Sequence, residues 1–189
     1  MGIVAQVRKD VKEKVVWYKE QDEGHYDFWE NHLKYVYDEA VKLAEKYKAD
    51  LEIVKLGALL HDIALVSKVG TKADHHENGK KIADEILTKY DYPPDKKKRV
   101  LGCVLHHRSS KNAENIEELC VADADILAHF DNITMLYDCI FVLHGVRDCL
   151  EAKGAIREAL AKDFDDLSEE TKAEFEARYK TIMNVVIGE

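Results

Sequence analysis

Apolar side chains return every three or four positions along most of the chain, the spacing that gives a helix one buried face. Ile3, Val4, Val7, Val11, Val15 and Tyr18 make the first stripe and predict an amphipathic helix over residues 3–18. Gln21-Asp22-Glu23-Gly24 breaks the pattern. A second helix is predicted from Asp27, whose carboxylate suits an N-cap, to about Tyr47. On it Phe28, His32, Val36, Ala40, Leu43 and Tyr47 share one face, so His32 falls on the apolar side. Asp50 caps a third predicted helix that runs to about Val66. Its last part, Leu56 to Val66, is almost wholly apolar except for His61-Asp62 in the middle. Residues 67–74, with Gly70, read as a loop.

Beyond that loop, His75-His76-Glu77-Asn78-Gly79 leads into a helix ending near Tyr90, and Asp91-Tyr92-Pro93-Pro94-Asp95 is a break. A helix from about Asp95 to Leu105 delivers His106-His107-Arg108 at its end; its Lys96-Lys97-Lys98-Arg99 run reads as a solvated first turn. From Ile116 an apolar period continues to about Leu150. Two closing helices are expected, near residues 155–163 and from a Ser168 cap to about Val186.

Composition narrows the class. A chain of 189 residues can bury one substantial core, and no linker-like stretch divides it, so residues 1–189 are expected to form one domain. With 2 prolines, 9 glycines, 46% hydrophobic and 34% charged residues, an all-α helical bundle is predicted. The 28 Lys and Arg against 37 Asp and Glu leave a net charge of -9, which opposes binding along a phosphate backbone, so nucleic acid is not expected as a partner. A small phosphorylated ligand stays open, since a metal ion reverses the field locally. The four cysteines form no C-x-x-C pair, no apolar run reaches the roughly 18–20 residues that span a bilayer, and no basic leader precedes one. These features predict a cytoplasmic protein without membrane contact.

The chemistry lies in polar residues set among apolar ones. His32, His61, Asp62, His75, His76, His106, His107 and one of Asp123 or Asp125 all fall in or at the ends of apolar helices, in a chain with 9 histidines. Burying such groups without partners costs several kcal/mol, so each is either hydrogen-bonded or holds a cation. Imidazole and carboxylate donors without clustered thiols suit a divalent Mn, Fe, Co, Ni or Zn ion, built from helices that each present one or two ligands. Asp123 and Asp125 stand roughly 160° apart around a helix, each with apolar neighbours, and periodicity does not choose between them.

The ordered set His32, His61-Asp62 and Asp125 resembles the H…HD…D signature of the HD-domain superfamily of metal-dependent phosphohydrolases. The likeness covers roughly residues 24–145 and includes His75-x-x-x-Gly79 and His106-His107. It implies an all-helical bundle in which His32, His61, Asp62 and Asp125 bind a divalent metal, and it favours Asp125 over Asp123. The chain departs from marked subgroups: it reads His61-Asp62-Ile63-Ala64-Leu65 where others have HDIG and a lysine, and no G-Y-P follows Arg108. Cyclic-dinucleotide cleavage is therefore not implied. What the likeness does imply is a stand-alone hydrolase of a small phosphorylated metabolite or nucleotide, with a homodimer among the assemblies it allows.

In that reading Asp62 holds the ion and orients its water, while His75 and His106 serve as catalytic groups acting on substrate. One ion is expected, because no further acidic ligand appears in the 75–108 stretch. Lys68, Lys72 and Arg108 lie near the predicted mouth as candidates to bind the substrate phosphate. Two other classes share these residues: a diiron oxygenase, and a metal-containing binding or sensory module without turnover.

Overall fold

Asp27 opens the second helical stretch as its sequence predicts, its Oδ1 accepting the N–H groups of Trp29 and Glu30 at 3.1 Å each. The first turn, Trp29–Leu33, is π-helical, with the Lys34 N–H reaching back to the Trp29 carbonyl, and α2, Lys34–Tyr47, continues from it. Widened turns of this kind gather at functional sites, and this one carries His32. The computed structural model describes residues 2–21 and 26–187. The predicted break at Asp22, Glu23 and Gly24 lies outside the described residues. Before it, α1, Ile3–Gln21, buries Val7, Val11 and Val15 as its stripe requires.

Helix α3, Leu51–Leu60, starts where Asp50 accepts the N–H groups of Glu52 and Ile53. It is apolar nearly all round because it is buried nearly all round, including every residue from Leu56 to Leu60. Gly57 is where α3 meets its neighbours: a Cβ there would lie 2.6 Å from Cys103 Cβ and 3.1 Å from Val121. The predicted single helix to Val66 is in fact two. The chain leaves helical geometry at Asp62 (φ -103°, ψ 20°) and resumes as α4, Ile63–Val66. That turn lets the adjacent His61 and Asp62 side chains enter one space from different angles.

Helices α5, His75–Lys89, and α6, Pro94–His106, pack as neighbours, and α6 carries Pro at its first turn, where a missing N–H costs nothing. Asn115 caps α7, Ile116–Asp131, whose side chains are buried on almost every face because it packs against α2, α3 and α6 together. The expected continuous helix from residue 116 to 150 ends early. At Asn132 the backbone turns (φ -129°, ψ 66°), and its side-chain amide donates to the Asn31 carbonyl at 2.7 Å, tying the corner to the turn that holds His32. Short α8, Ile133–Asp138, a π-helical turn Cys139–Leu143 and Gly145 at φ +66° follow.

Helix α9, Cys149–Asp166, starts earlier and runs longer than the predicted 155–163, because Asp148 caps it by accepting the Leu150 and Glu151 N–H groups. Ser168 caps α10, Glu169–Ile182, as predicted. One apolar core runs from α1 through α3 and α7 to Met183, the fold is all-α, and no strand occurs among the described residues. Nor is any of their helices long and apolar enough to cross a membrane.

Candidate metal centre

Four residues from three parts of the chain, His32, His61-Asp62 and Asp125, converge where the starts and ends of the helices around α3 meet α7. His32 Nε2 lies 3.1 Å from Asp125 Oδ1, 3.1 Å from His61 Nε2 and 3.4 Å from Asp62 Oδ2. His61 Nε2 is 3.5 Å from both carboxylates. The other oxygen of Asp62, Oδ1, faces a second set: it is 3.2 Å from His75 Nε2 and 3.6 Å from His107 Nε2, and these two nitrogens are 2.9 Å apart. Asp62 therefore presents one oxygen to each of two groups of imidazoles.

Hydrogen bonds at the outer ring atoms fix what those imidazoles offer. His61 Nδ1 is 2.8 Å from the Ala58 carbonyl, His75 Nδ1 is 2.8 Å from that of Lys72, and His107 Nδ1 is 2.7 Å from that of Val104. A carbonyl only accepts, so each Nδ1 carries the hydrogen, and each neutral ring turns a bare Nε2 lone pair inward. Backbone partners of this kind hold metal-binding histidines in one tautomer. His32 differs: its Nδ1 is buried without a partner, and its ring is held by Phe28 edge-on at 5.9 Å.

Facing lone pairs and carboxylates repel unless a cation lies among them. Their separations of 2.9–3.6 Å are the edges between neighbouring ligands of one ion with bonds of about 2.0–2.2 Å. The residues present thus fit divalent metal on both sides of Asp62, and three-residue sets on each side, His32-His61-Asp62 and Asp62-His75-His107, can each hold an ion.

Electrostatics agree. Burial opposes charge on His61, yet the carboxylates of Asp62 and Asp125 outweigh it and hold its pKa well above the ordinary imidazole value. Burial acts likewise against Asp62 and Asp125, and His61 foremost among their partners holds both well below the usual carboxylate range. His107, buried and beside a charged His61, is pushed down to about 4. A divalent ion entering such a site competes with a proton for the same lone pairs.

The other predicted residues divide. His106, expected as a catalytic group, turns away from the centre and places Nδ1 2.8 Å from Glu118 Oε2; its neighbour His107 enters instead. Adjacent helical residues point about 100° apart, and the inward direction at this helix end belongs to position 107. His76 packs edge-on against His75 at 5.8 Å but stays outside both sets. Lys68 sits with its ammonium 5.1 Å over the Tyr18 ring, and Arg108 donates to the Ala73 carbonyl at 3.0 Å, bracing the loop before α5. Lys72 gives its carbonyl to His75; burial pushes the Cys139 thiol up, and the Lys72 charge opposes that rise.

One residue escaped the sequence reading altogether. His129 lies one turn beyond Asp125 on α7, its ring stacked on that of His32 at 5.7 Å and its Nδ1 2.8 Å from Asp163 Oδ2. The signal was the spacing Asp125-x-x-x-His129, which puts both residues on one helix face.

Comparison with known proteins follows the same lines. The HD domain family model matches residues 29–129. Bacillus subtilis YpgQ shares the fold at a TM-score of 0.71, with 21% identity over 98% of this chain and 92% of its own. The same protein in complex with ADP gives 0.65, with 20% identity over 97% and 93%. A predicted HD superfamily hydrolase from an uncultured Thermotogales bacterium gives 0.62, with 22% identity over 96% and 88%. No relative is detected among proteins of curated function. The matched stretch contains His32, His61-Asp62, His75, His107, Asp125 and His129, and the chain belongs to the HD domain family.

Proposed function

We propose that the chain is a metal-dependent phosphohydrolase that uses two divalent ions to cleave a nucleotide or another small phosphorylated metabolite. The observation that carries this reading is the division of the Asp62 carboxylate, Oδ2 toward His32 and His61 and Oδ1 toward His75 and His107. The sequence favoured one ion for want of another acid between residues 75 and 108. Asp62 removes that objection by serving both sides.

Divalent ions bound there would supply a water acidic enough to attack phosphorus near neutral pH and would draw charge from the phosphoryl oxygens. The chain contributes the rest. His32, His61 and Asp125 would hold the first ion and His75 and His107 the second. Asp62 would fix their relation and orient the attacking water. Mn, Fe, Co, Ni and Zn all suit the donor set. A nucleotide is favoured among substrates because a structural neighbour is seen with ADP. Of the three cations Lys72 is the one we assign to the phosphate, since Arg108 braces the loop and Lys68 lies over the Tyr18 ring.

The same two-ion arrangement would serve an oxygenase, so the test reads both chemistries. Metal per chain is measured on the purified protein, followed by phosphate release over a panel of nucleotides and sugar phosphates and by oxygen uptake. Two ions per chain with phosphate release that disappears in Asp62→Ala is the expected result. Two ions with oxygen uptake and no phosphate release would replace the hydrolase reading with the oxygenase. A metal-free protein would end both.

A further inference from the structure

We infer that His129 is a further metal ligand on the His32–Asp125 side of the centre, held in place by Asp163 from α9; this rests on the two-ion reading above. Three observations point there. A ring nitrogen of His129, one of His32 and an oxygen of Asp125 all lie within 4.8 Å of one another. Because His129 Nδ1 is 2.8 Å from Asp163 Oδ2, the nitrogen free to accept a metal is Nε2. The ring centroid of His129 stands 5.7 Å from that of His32, the two planes 22° apart, which keeps the His129 ring beside a residue of the centre.

The supporting geometry has a chemical meaning. A histidine whose outer nitrogen is bound to a carboxylate is a stronger donor at its inner nitrogen, and carboxylate–histidine–metal chains are a standard way of holding an ion. His61, His75 and His107 lean on backbone carbonyls instead, so His129 is the ring with a carboxylate behind it among the described ligands. Asp125 and His129, four residues apart, give α7 two donors on one face, as paired ligands on a single helix require. Asp163 brings α9 into the support of the centre, an element outside the family-matched stretch of residues 29–129. His129 would then join His32 and Asp125 as a donor set of its own on that side of the centre.

The bland alternative is that His129 only braces His32 by stacking. His129→Phe separates the two, because phenylalanine keeps a flat ring against His32 and cannot ligate. Co2+ alone is titrated into the full-length protein, following visible absorption and competition with a chelator, for wild type, His129→Phe, Asp163→Asn and His32→Ala, with thermal melts of each. The expected result is a roughly 10–100-fold loss of affinity for one of the Co2+ ions and an altered spectrum in His129→Phe, with a smaller loss in Asp163→Asn. His129→Phe with wild-type affinity and spectrum would show bracing alone and overturn the inference. If that variant does not fold, Asp163→Asn decides, since its isosteric change at a partly exposed position preserves packing; unchanged Co2+ binding there overturns the inference as well. Failure of the underlying reading looks different: wild type would bind no Co2+, or His32→Ala would bind it undiminished, and the two proposals would fall together.

Discussion

Helix α7 carries two carboxylates two residues apart, Asp123 buried and Asp125 partly buried, and they live in opposite chemical worlds. Asp123 is fully buried and accepts four hydrogen bonds: from Ser110 Oγ at 2.5 Å, the Ser168 N–H at 2.9 Å, Ser168 Oγ at 2.6 Å and Thr171 Oγ1 at 2.6 Å. Its neighbours are neutral donors, and they fasten the turn after α6 and the start of α10 onto α7. Asp125 faces His32 and His61, at 3.1 and 3.5 Å, and the inner nitrogen of His61 is a lone pair whenever that ring is neutral, because its Nδ1 hydrogen goes to the Ala58 carbonyl. Asp123 is complete as it stands, whereas Asp125 is complete only with a cation. The difference between a structural and a functional buried acid thus lies in whether its neighbours give hydrogens or lone pairs.

The largest expected effect follows from Asp62, which serves both sides. Asp62→Ala should weaken binding of both ions, by about tenfold or more in affinity for each. The melting temperature of the metal-free protein should stay near wild type or rise, because a buried carboxylate has been removed from a site built for function. Elemental analysis and a melt in chelator check this. A variant that keeps both ions would break the distinction at its functional end.

Asp123→Ala tests the structural end. Four donor groups, the Ser110 hydroxyl, the Ser168 N–H and hydroxyl and the Thr171 hydroxyl, would lose their acceptor. The expected cost is about 3 kcal/mol or more in urea denaturation, with metal per folded chain unchanged. Lost metal at unchanged stability would reverse the roles of the two acids.

Positions 106 and 107 repeat the contrast at smaller scale. His107→Ala should lower bound metal from two ions to one, since it removes a donor of the His75 set. His106→Ala should leave both ions and cost about 1–3 kcal/mol, because it strips a partner from the buried Glu118 carboxylate. The same metal analysis and denaturation curves report both. A one-ion His106→Ala protein would mean that the helix end delivers its histidines the other way round.

These contrasts also mark what the sequence could show. The caps at Asp27, Asp50 and Ser168 were legible because N-capping is a local hydrogen bond between residues two or three apart. The His61-Asp62 pair stood out because the apolar run around it offers no polar side chain as a partner. Asp125 was preferred over Asp123 by resemblance alone, for a good physical reason: the donors that satisfy Asp123 come from residues 13 to 48 positions away. His107 over His106, and the pairing of His129 with Asp163 across 34 positions, depend on how each helix is rotated toward its neighbours, which no local pattern encodes, whereas the spacing from Asp125 alone put His129 on the same helix face. The end of α7 at Asn132 was hidden likewise, because its side chain bonds Asn31 across 101 positions.

The smallest effect probes the structural side once more, at Gly102 on α6. A Cβ on Gly102 would collide with the Glu118 carboxylate, which is buried and receives the Glu114 N–H at 2.8 Å, the Asn115 amide at 2.7 Å and His106 at 2.8 Å. Two terms oppose each other in Gly102→Ala. Alanine in a helix interior gains up to about 1 kcal/mol over glycine. Displacing Glu118 weakens three bonds worth about 0.5–1.5 kcal/mol each, more where charge is involved. The loss outweighs the gain, and a net destabilisation of about 1–2 kcal/mol is expected in urea denaturation, with both ions retained. A Gly102→Ala protein as stable as wild type would show that Glu118 moves aside freely. In that case His106 and Glu118 would not form a fixed joint between α6 and α7, and the carboxylate that resembles Asp123 in its complement of donors would lack its rigidity.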